Sequence, residues 1–254
     1  MLEIKGLTKY FGGLAAVSSL DMSMNPGDMM GLIGPNGAGK TTVFNLITGF
    51  LRPTMGQLVF EGRDIISKNP HHIAARGIVR TFQGDNIFPD FTVLQNVVLA
   101  CHLKPGVGIF ETVLHTGGGR RKEREILDRS QTILELVGLD TMADMTARNL
   151  AHGYKRILGI AIALAAEPKL LLLDEPFSGM NAGEVSETMR LIHRLWQSGI
   201  TILLIEHNMR AAMSLCQRIV VLNFGRKIAE GLPNEVRGNP EVIQAYLGAG
   251  EHAT

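Results

Sequence analysis

Eight consecutive residues, Gly34-Pro35-Asn36-Gly37-Ala38-Gly39-Lys40-Thr41, have the types and spacing needed to grip a phosphate chain. They satisfy the pattern G-x-x-x-x-G-K-[ST] at each fixed position. The glycines let backbone N–H groups curl around an anion, and a helix N-terminus adds its partial positive charge. Lys40 supplies a full charge able to reach β- and γ-phosphates. The Thr41 hydroxyl can bind Mg²⁺, and Thr42 offers a further hydroxyl near the α/β-phosphates. A glycine turn that merely opens a helix is the bland alternative. The flanks argue against it: an apolar run, Met29 to Ile33, precedes the loop, and a helix-like stretch, Lys40 to Thr48, follows it.

A second set of residues suits the same chemistry. Leu170-Leu171-Leu172-Leu173-Asp174-Glu175 reads as a buried strand that delivers two carboxylates to its carboxyl end, where open α/β sheets bind ligands. Asp174 can hold the hydration shell of Mg²⁺. Glu175 can accept a proton from an attacking water or orient it. Acidic residues cap strands in many folds, so the pair gains its meaning from the phosphate loop upstream.

These groups need a scaffold, and the hydrophobic pattern outlines one. Leu2 to Lys5 and Ser18 to Met24 alternate as half-buried antiparallel strands do, and Leu58 to Phe60 with the turn Glu61-Gly62-Arg63 reads as another edge strand. From about Gly84 to Asn149 the pattern is mostly helical, broken by a Pro/Gly-containing loop from Pro105 to Gly119. A helix opening at Arg120 presents Ile126, Ile133, Leu134 and Val137 on one face and stops at Gly138. Lys155 to Ala166 reads as a helix, as does Glu184 to Ser198. Ile200 to Ile205 and Ile219 to Leu222 are further buried strands. The expected fold is α/β: a parallel core sheet, an antiparallel β subdomain near the N-terminus and an inserted α-helical subdomain. Residues 1–83 and 156–254 are expected to form the core, and 84–155 the helical insertion.

Bulk properties narrow the function classes. The chain has 254 residues, 45% hydrophobic and 19% charged, enough for a substantial core. The 25 basic and 24 acidic residues leave a formal charge of +1, so the whole-chain balance gives no reason to expect nucleic acid. Cys101 and Cys216 lack metal-ligand spacing and read as reduced, buried thiols. The N-terminus lacks signal-peptide features, and the most apolar segment, Ile157 to Ala166, is far shorter than the roughly 20 residues that span a bilayer. A membrane role is therefore expected to come through a partner.

In their order along the chain, these motifs resemble the ATP-binding cassette (ABC) ATPases, a branch of the P-loop NTPases, from one end of the sequence to the other. The resemblance implies further roles at matching positions. Phe11, just before Gly12, stands where that family stacks an aromatic on adenine. Gln83, in Arg80-Thr81-Phe82-Gln83, matches the glutamine that senses Mg²⁺ and the attacking water. Ser178-Gly179-Met180-Asn181 matches the D-loop, with Asn181 where aspartate is usual. His207 follows Glu206 as the switch histidine that contacts the γ-phosphate. Leu150-Ala151-His152-Gly153-Tyr154 stands where the signature Leu-Ser-Gly-Gly-Gln is expected. Only Leu150 and Gly153 match, and Ala151 lacks the hydroxyl that meets the partner's ATP, a contact usually worth about 0.5–1.5 kcal/mol. Ile162 replaces an arginine common in the following helix.

The finer resemblance is to the ATPases of branched-chain amino acid importers. It is carried by Arg80 to Gln83, Phe91 to Val97, Leu203 to Met209 and the tail Asn239 to Gly248, most of which urea and short-amide importers share. That branch relaxes the signature serine; His152 and Tyr154 remain departures. The resemblance implies ATP and Mg²⁺ as ligands and a head-to-tail pairing with a second ATPase subunit, identical or related. Each ATP would lie between the Gly34–Thr41 loop of one subunit and Leu150 to Tyr154 of the other. It further implies two transmembrane permease subunits docking near Gln83 to Asn96, a periplasmic solute-binding protein, and a place at the cytoplasmic face of the inner membrane.

Overall fold

A computed structural model of the chain describes residues 1–81, 87–103 and 118–248. The N-terminal strands β1 (Leu2–Phe11) and β2 (Leu14–Met24) pair as an antiparallel hairpin. Strand β4 (Met55–Phe60) pairs with the far side of β1, and the two-residue β5 (Arg63–Asp64) closes that sheet in the order β2-β1-β4-β5. Leu58 to Phe60 is thus not an edge strand. The Glu61-Gly62 turn, with both residues at positive φ, folds the chain back so that β5 takes the edge.

The second sheet has six strands in the order β10-β9-β3-β8-β7-β6, parallel except for β10. These are β3 (Met29–Ile33), β6 (Ile78–Arg80), β7 (Leu170–Asp174), β8 (Thr201–Glu206), β9 (Arg218–Asn223) and β10 (Arg226–Gly231). Central β3, β7 and β8 are buried along their whole length, as their continuous apolar runs require. Alternation along the strands divides their side chains between two cores. Leu171, Leu173, Ile202 and Leu204 enter one, and Leu170, Leu172, Leu203 and Ile205 the other. Burying each leucine of β7 contributes about 1.5–3 kcal/mol, which anchors Asp174 at the strand's end.

One core lies under the antiparallel sheet and includes Val43, Phe44, Leu46 and Ile47 of helix α1 (Lys40–Ile47). The other gathers α3 (Val93–His102), α4 (Gly118–Val137), α5 (His152–Ala165), α6 (Ala182–Gln197) and α7 (Met209–Leu215). Ile133, Leu134 and Val137 of α4 are buried and Ile126 is partly buried, the face expected from sequence; Gly138 ends the helix at φ 76°. The expected Pro105–Gly119 loop lies almost wholly outside the described residues, and Gly118 and Gly119 already belong to α4. Helix α5 begins at His152, three residues before the expected Lys155, so a boundary drawn between 155 and 156 falls inside it. The short elements α2 (Pro70–Ala75), α8 (Pro233–Arg237) and α9 (Pro240–Gly248) complete the fold. Among the described residues no helix is long and apolar enough to cross a membrane.

Candidate active site

The phosphate loop leaves β3 and enters α1 with Gly39 as the N-cap residue, at φ 101°. Two neighbours clamp it. A Cβ on Gly39 would lie 2.4 Å from the Ala16 carbonyl oxygen of β2, and one on Gly34 would lie 2.2 Å from the Leu222 oxygen of β9. In the β9–β10 turn, the Gly225 N–H donates to Ala38 O at 3.0 Å and the Gly225 carbonyl accepts from Ser18 N at 2.8 Å. Gly34 and Gly39 are therefore dictated by close backbone approach as well as by dihedral angle, and Gly37 by its φ of 78° alone. Lys40 is buried beneath the loop, its ammonium donating to Gly34 O at 2.7 Å and Pro35 O at 2.9 Å. Burial pulls its pKa down; the nearby carboxylates of Glu175, Asp174 and Glu206 oppose that.

Above the loop lies a cavity of about 290 Å³. Its walls are Asn36 to Thr42, Glu175, the β2 residues Leu14 to Ala16, and Phe224 and Gly225. A second cavity of about 440 Å³, among Glu61, Arg76 and Lys169, touches none of the chemistry-bearing residues named above.

Strand β7 ends in the expected carboxylates. The Asp174 side chain is almost wholly buried, and Arg80 Nη2 donates to its Oδ2 at 2.5 Å. Among the described residues its other oxygen, Oδ1, is buried with no hydrogen-bond partner. An orphaned, hard carboxylate oxygen of this kind fits a divalent cation or its hydration water. Thr41, on the cavity wall, supplies a second hard donor type. Among the described residues no group of three or more His, Cys, Asp and Glu could hold a metal, so a cation here would complete its shell with phosphate oxygens and water.

Glu175 occupies left-handed backbone, φ 46°, which costs an ordinary side chain of order 1–3 kcal/mol and is retained mostly at functional positions. Its N–H donates to Ile205 O at 2.9 Å, which locks the turn, and its carboxylate reaches the cavity. His207 Nδ1 lies 3.8 Å from Glu175 Oε2, with the histidine side chain about half exposed. Between them Glu206 is fully buried. Its carboxylate accepts N–H bonds from Phe177 at 3.1 Å and from His207 and Asn208 at 3.2 Å each. Burial raises its pKa, and the bonds from Phe177 and Asn208 hold it back. This one side chain thus ties the segment after Glu175 to the turn bearing His207.

Lys40, Thr41, Thr42 and Glu175 therefore share one cavity, with the loop residues Asn36 to Gly39. Phe11 does not line it. That ring is half exposed beside Lys9, whose ammonium stands 5.2 Å from its centroid. Gln83 lies outside the described residues. The signature segment stands apart: Leu150 and Gly153 are buried, Ala151 and His152 exposed, and none of them lines the cavity. Ala151 is the N-cap of α5 and makes no side-chain capping bond. Asn181 caps α6 through a capping box with Glu184, its amide oxygen accepting from Gly183 N at 2.9 Å and Glu184 N at 3.1 Å. Three residues of the site were not anticipated from sequence: Arg80, Glu206 and Phe224. A charge ending the apolar stretch Ile78-Val79, and an acid ending Ile202 to Ile205, were the available signals for the first two. Phe224 sits in a tight turn at φ 45° and gave none.

A family model described as ABC transporter matches residues 17–178, more than half of the chain. The chain belongs to the ABC transporter family. It is one of that family's ATP-binding cassettes. A second model, described as branched-chain amino acid ATP-binding cassette transporter, matches residues 226–252 of this cassette. The high-affinity branched-chain amino acid transport ATP-binding protein LivG of Escherichia coli K12 is 43% identical over 249 residues, 98% of each chain. Among solved structures, an ATP-binding cassette of an ABC transporter in its ADP conformation superposes with a TM-score of 0.86 at 33% identity, covering 98% of both chains. A dimeric cassette in a post-hydrolysis state, bound to ADP and Pi, superposes with a TM-score of 0.76 at 25% identity, covering 92% of this chain and 99% of that one.

Proposed function

We propose that this cassette hydrolyses MgATP to drive import of branched-chain amino acids through a membrane permease. The observation that carries the chemistry is the shared cavity in which the Lys40–Thr42 loop end faces Glu175. The cargo rests on the C-terminal match over 226–252 and on the likeness to a LivG protein.

In this reading ATP lies with its phosphates on the N-terminus of α1, which supplies N–H groups without reorganisation. Lys40 exchanges its bonds to Gly34 O and Pro35 O for the β/γ-phosphates, which restores the proton affinity that burial takes from it. Thr41 and Asp174 would hold a magnesium ion, whose charge would offset that of the phosphoryl group in transfer. Glu175 orients the attacking water and takes its proton, while the neighbouring His207 holds the γ-phosphate. Gln83 joins this group, and Phe11 lies on the adenine. The second ATP-facing surface, Leu150 to Gly153, comes from a partner cassette paired head to tail. Residues 84–155 act as the helical arm, 1–83 and 156–254 as the core.

The permease is assigned to the surface around Phe88 and Phe91. These rings stack at 5.3 Å and stay 50% and 40% exposed, whereas Ile87 and Val93 turn inward. Asn96 braces the segment, its Oδ1 accepting from Phe88 N at 2.7 Å and its Nδ2 donating to Phe88 O at 3.1 Å. Deleting the gene is expected to abolish or sharply reduce uptake of leucine, isoleucine or valine in a strain with no redundant ATPase. Phe88→Glu is expected to do the same while the purified cassette keeps its basal ATPase. Normal uptake of all three in the deletion strain would remove the cargo assignment, and loss of urea or short-amide uptake instead would reassign it.

A further inference from the structure

We infer that Arg80 is a positioning residue for Asp174, which it fastens to α1 so that Oδ1 is presented to the magnesium ion of MgATP. The inference rests on the reading of Asp174 as a magnesium residue. Arg80 ends β6, paired in parallel with Leu172 of β7, so its side chain leaves the sheet beside the end of the strand that carries Asp174. Its guanidinium makes a fork. Nη2 donates to Asp174 Oδ2 at 2.5 Å, and Nη1 donates to Asn45 Oδ1 at 2.6 Å. The guanidinium carbon also stands 5.5 Å from the centroid of the Phe44 ring. Asn45 and Phe44 belong to α1, the helix whose N-terminus forms the phosphate loop. One planar cation therefore joins the two halves of the site, the loop helix and the acidic strand end.

The energetics favour a role beyond filling space. Side-chain exposures are 8% for Arg80 and 1% for Asp174, so both charges have been taken out of water. A buried pair of this kind is seldom a net source of stability, because desolvation consumes most of the Coulomb gain. Its geometry is specific, however. Arg80 occupies one carboxylate oxygen and leaves the other, Oδ1, with no partner among the described residues. The strand end is held a second time by the neighbouring residue, since the Thr81 hydroxyl accepts from Asp174 N at 3.3 Å. A carboxylate fixed at backbone and at one oxygen has a single oxygen left to offer. A lysine in place of Arg80 keeps the charge but cannot bridge Asn45 and Asp174 with a planar fork.

The test is a Mg²⁺ titration of ATP-analogue fluorescence on the purified full-length chain, run beside the same binding measurement in EDTA. Arg80→Met is expected to bind the analogue in EDTA as the parent does, since the phosphate loop is untouched. Its half-saturating Mg²⁺ concentration should rise by about 10–100-fold, the usual consequence of removing a partner that orients a metal ligand. Arg80→Lys, which keeps the buried charge compensated, should show the same direction with an unchanged melting temperature. It decides the matter if the methionine variant does not fold. Asp174→Asn separates the two readings. A shift in Asp174→Asn with none in a folded Arg80 variant would overturn the positioning role alone. No shift in Asp174→Asn would overturn the magnesium reading beneath it. A double variant, Arg80→Lys with Asp174→Asn, should be no worse than Asp174→Asn; additive losses would mean that Arg80 acts elsewhere.

Discussion

Two helix N-termini in this cassette are assigned to phosphate in the proposed function, and they are held in opposite ways. At α1 the N-cap Gly39 is wedged against Ala16 O, the turn at Gly225 bonds to Ala38, and Lys40 is buried under its own loop. At α5 the N-cap Ala151 makes no side-chain bond, and Ala151 and His152 face outward. Outside the helix that end meets α6 and the loop before it: a Cβ on Gly179 would lie 2.9 Å from the His152 ring, and one on Gly153 would lie 2.8 Å from Glu184 Oε1. The first terminus is completed by its own chain, so sterics dictate Gly34 and Gly39. The second does not line that cavity, and in the proposed dimer a partner completes it. Three of the departures from the family pattern, Ala151, His152 and Tyr154, fall at the second and none at the first. A surface finished by another molecule is constrained by that molecule, not by this core.

The largest effect should come from the chemistry that the first terminus serves. Glu175→Gln keeps volume and hydrogen bonding but removes the proton acceptor, so steady-state ATP hydrolysis should fall by about 10²–10⁴-fold. ATP should still bind, and in Mg²⁺ the variant should accumulate as an ATP-bound dimer by light scattering. Parental turnover would transfer the base role to another group, with His207, 3.8 Å from Glu175, the next candidate.

A middle-sized effect should follow from breaking the steric clamp. Gly39→Ala places a methyl 2.4 Å from a carbonyl oxygen at φ 101°. A strained residue of this kind costs about 1–3 kcal/mol, equivalent to a drop of about 2–12 °C in melting temperature for a domain of this size. ATP affinity should fall with it. If calorimetry and nucleotide binding both match the parent, the loop is not clamped as described, and the contrast between the two termini loses its physical basis.

The same contrast explains how much could be read without coordinates. The phosphate loop, the β7 strand and its carboxylates were legible because each rule acts within a few residues: glycine at close approach, an apolar run for a doubly covered strand, an acid at its end. The α4 face and the Gly138 stop were legible from periodicity. The rest depends on contacts distant in sequence. Arg80 meets Asp174 across 94 positions, and Glu206 reaches Phe177 across 29. No local pattern encodes those partners. Strand β6 is three residues long and β10 is mostly exposed, so neither shows the period on which a strand assignment relies. The early start of α5 escaped notice because its first turn lacks the capping residue that normally announces a helix. Placing β4 inside its sheet needed β5, two exposed residues that carry no hydrophobic signal.

The smallest effect, and the sharpest test of the contrast, concerns that missing cap. Ala151 has the extended backbone of an N-cap residue, φ −60° and ψ 157°, so serine fits without strain. Its hydroxyl would accept from the N–H of Gly153 or Tyr154, the second and third residues of α5. Replacing alanine by serine at an N-cap typically stabilises by about 0.5–2 kcal/mol. Ala151→Ser should therefore raise the melting temperature of the nucleotide-free cassette by a few degrees, roughly 2–4 °C per kcal/mol at this size. ATP affinity of the monomer should not change, because none of the residues around Ala151 lines the cavity. If the same hydroxyl also meets the partner's γ-phosphate, ATP-dependent dimerisation should tighten as well, by about 0.5–1.5 kcal/mol or more for a charged acceptor. The two readouts separate two meanings of the substitution. A rise in melting temperature alone would show that α5 gained a cap while the partner's phosphate is served by backbone N–H groups. Tighter dimers without a melting shift would place the hydroxyl in the interface and not on the helix. With neither change, Ala151 would not stand where a cap or a cross-subunit donor is needed, and the second terminus would have to be located elsewhere.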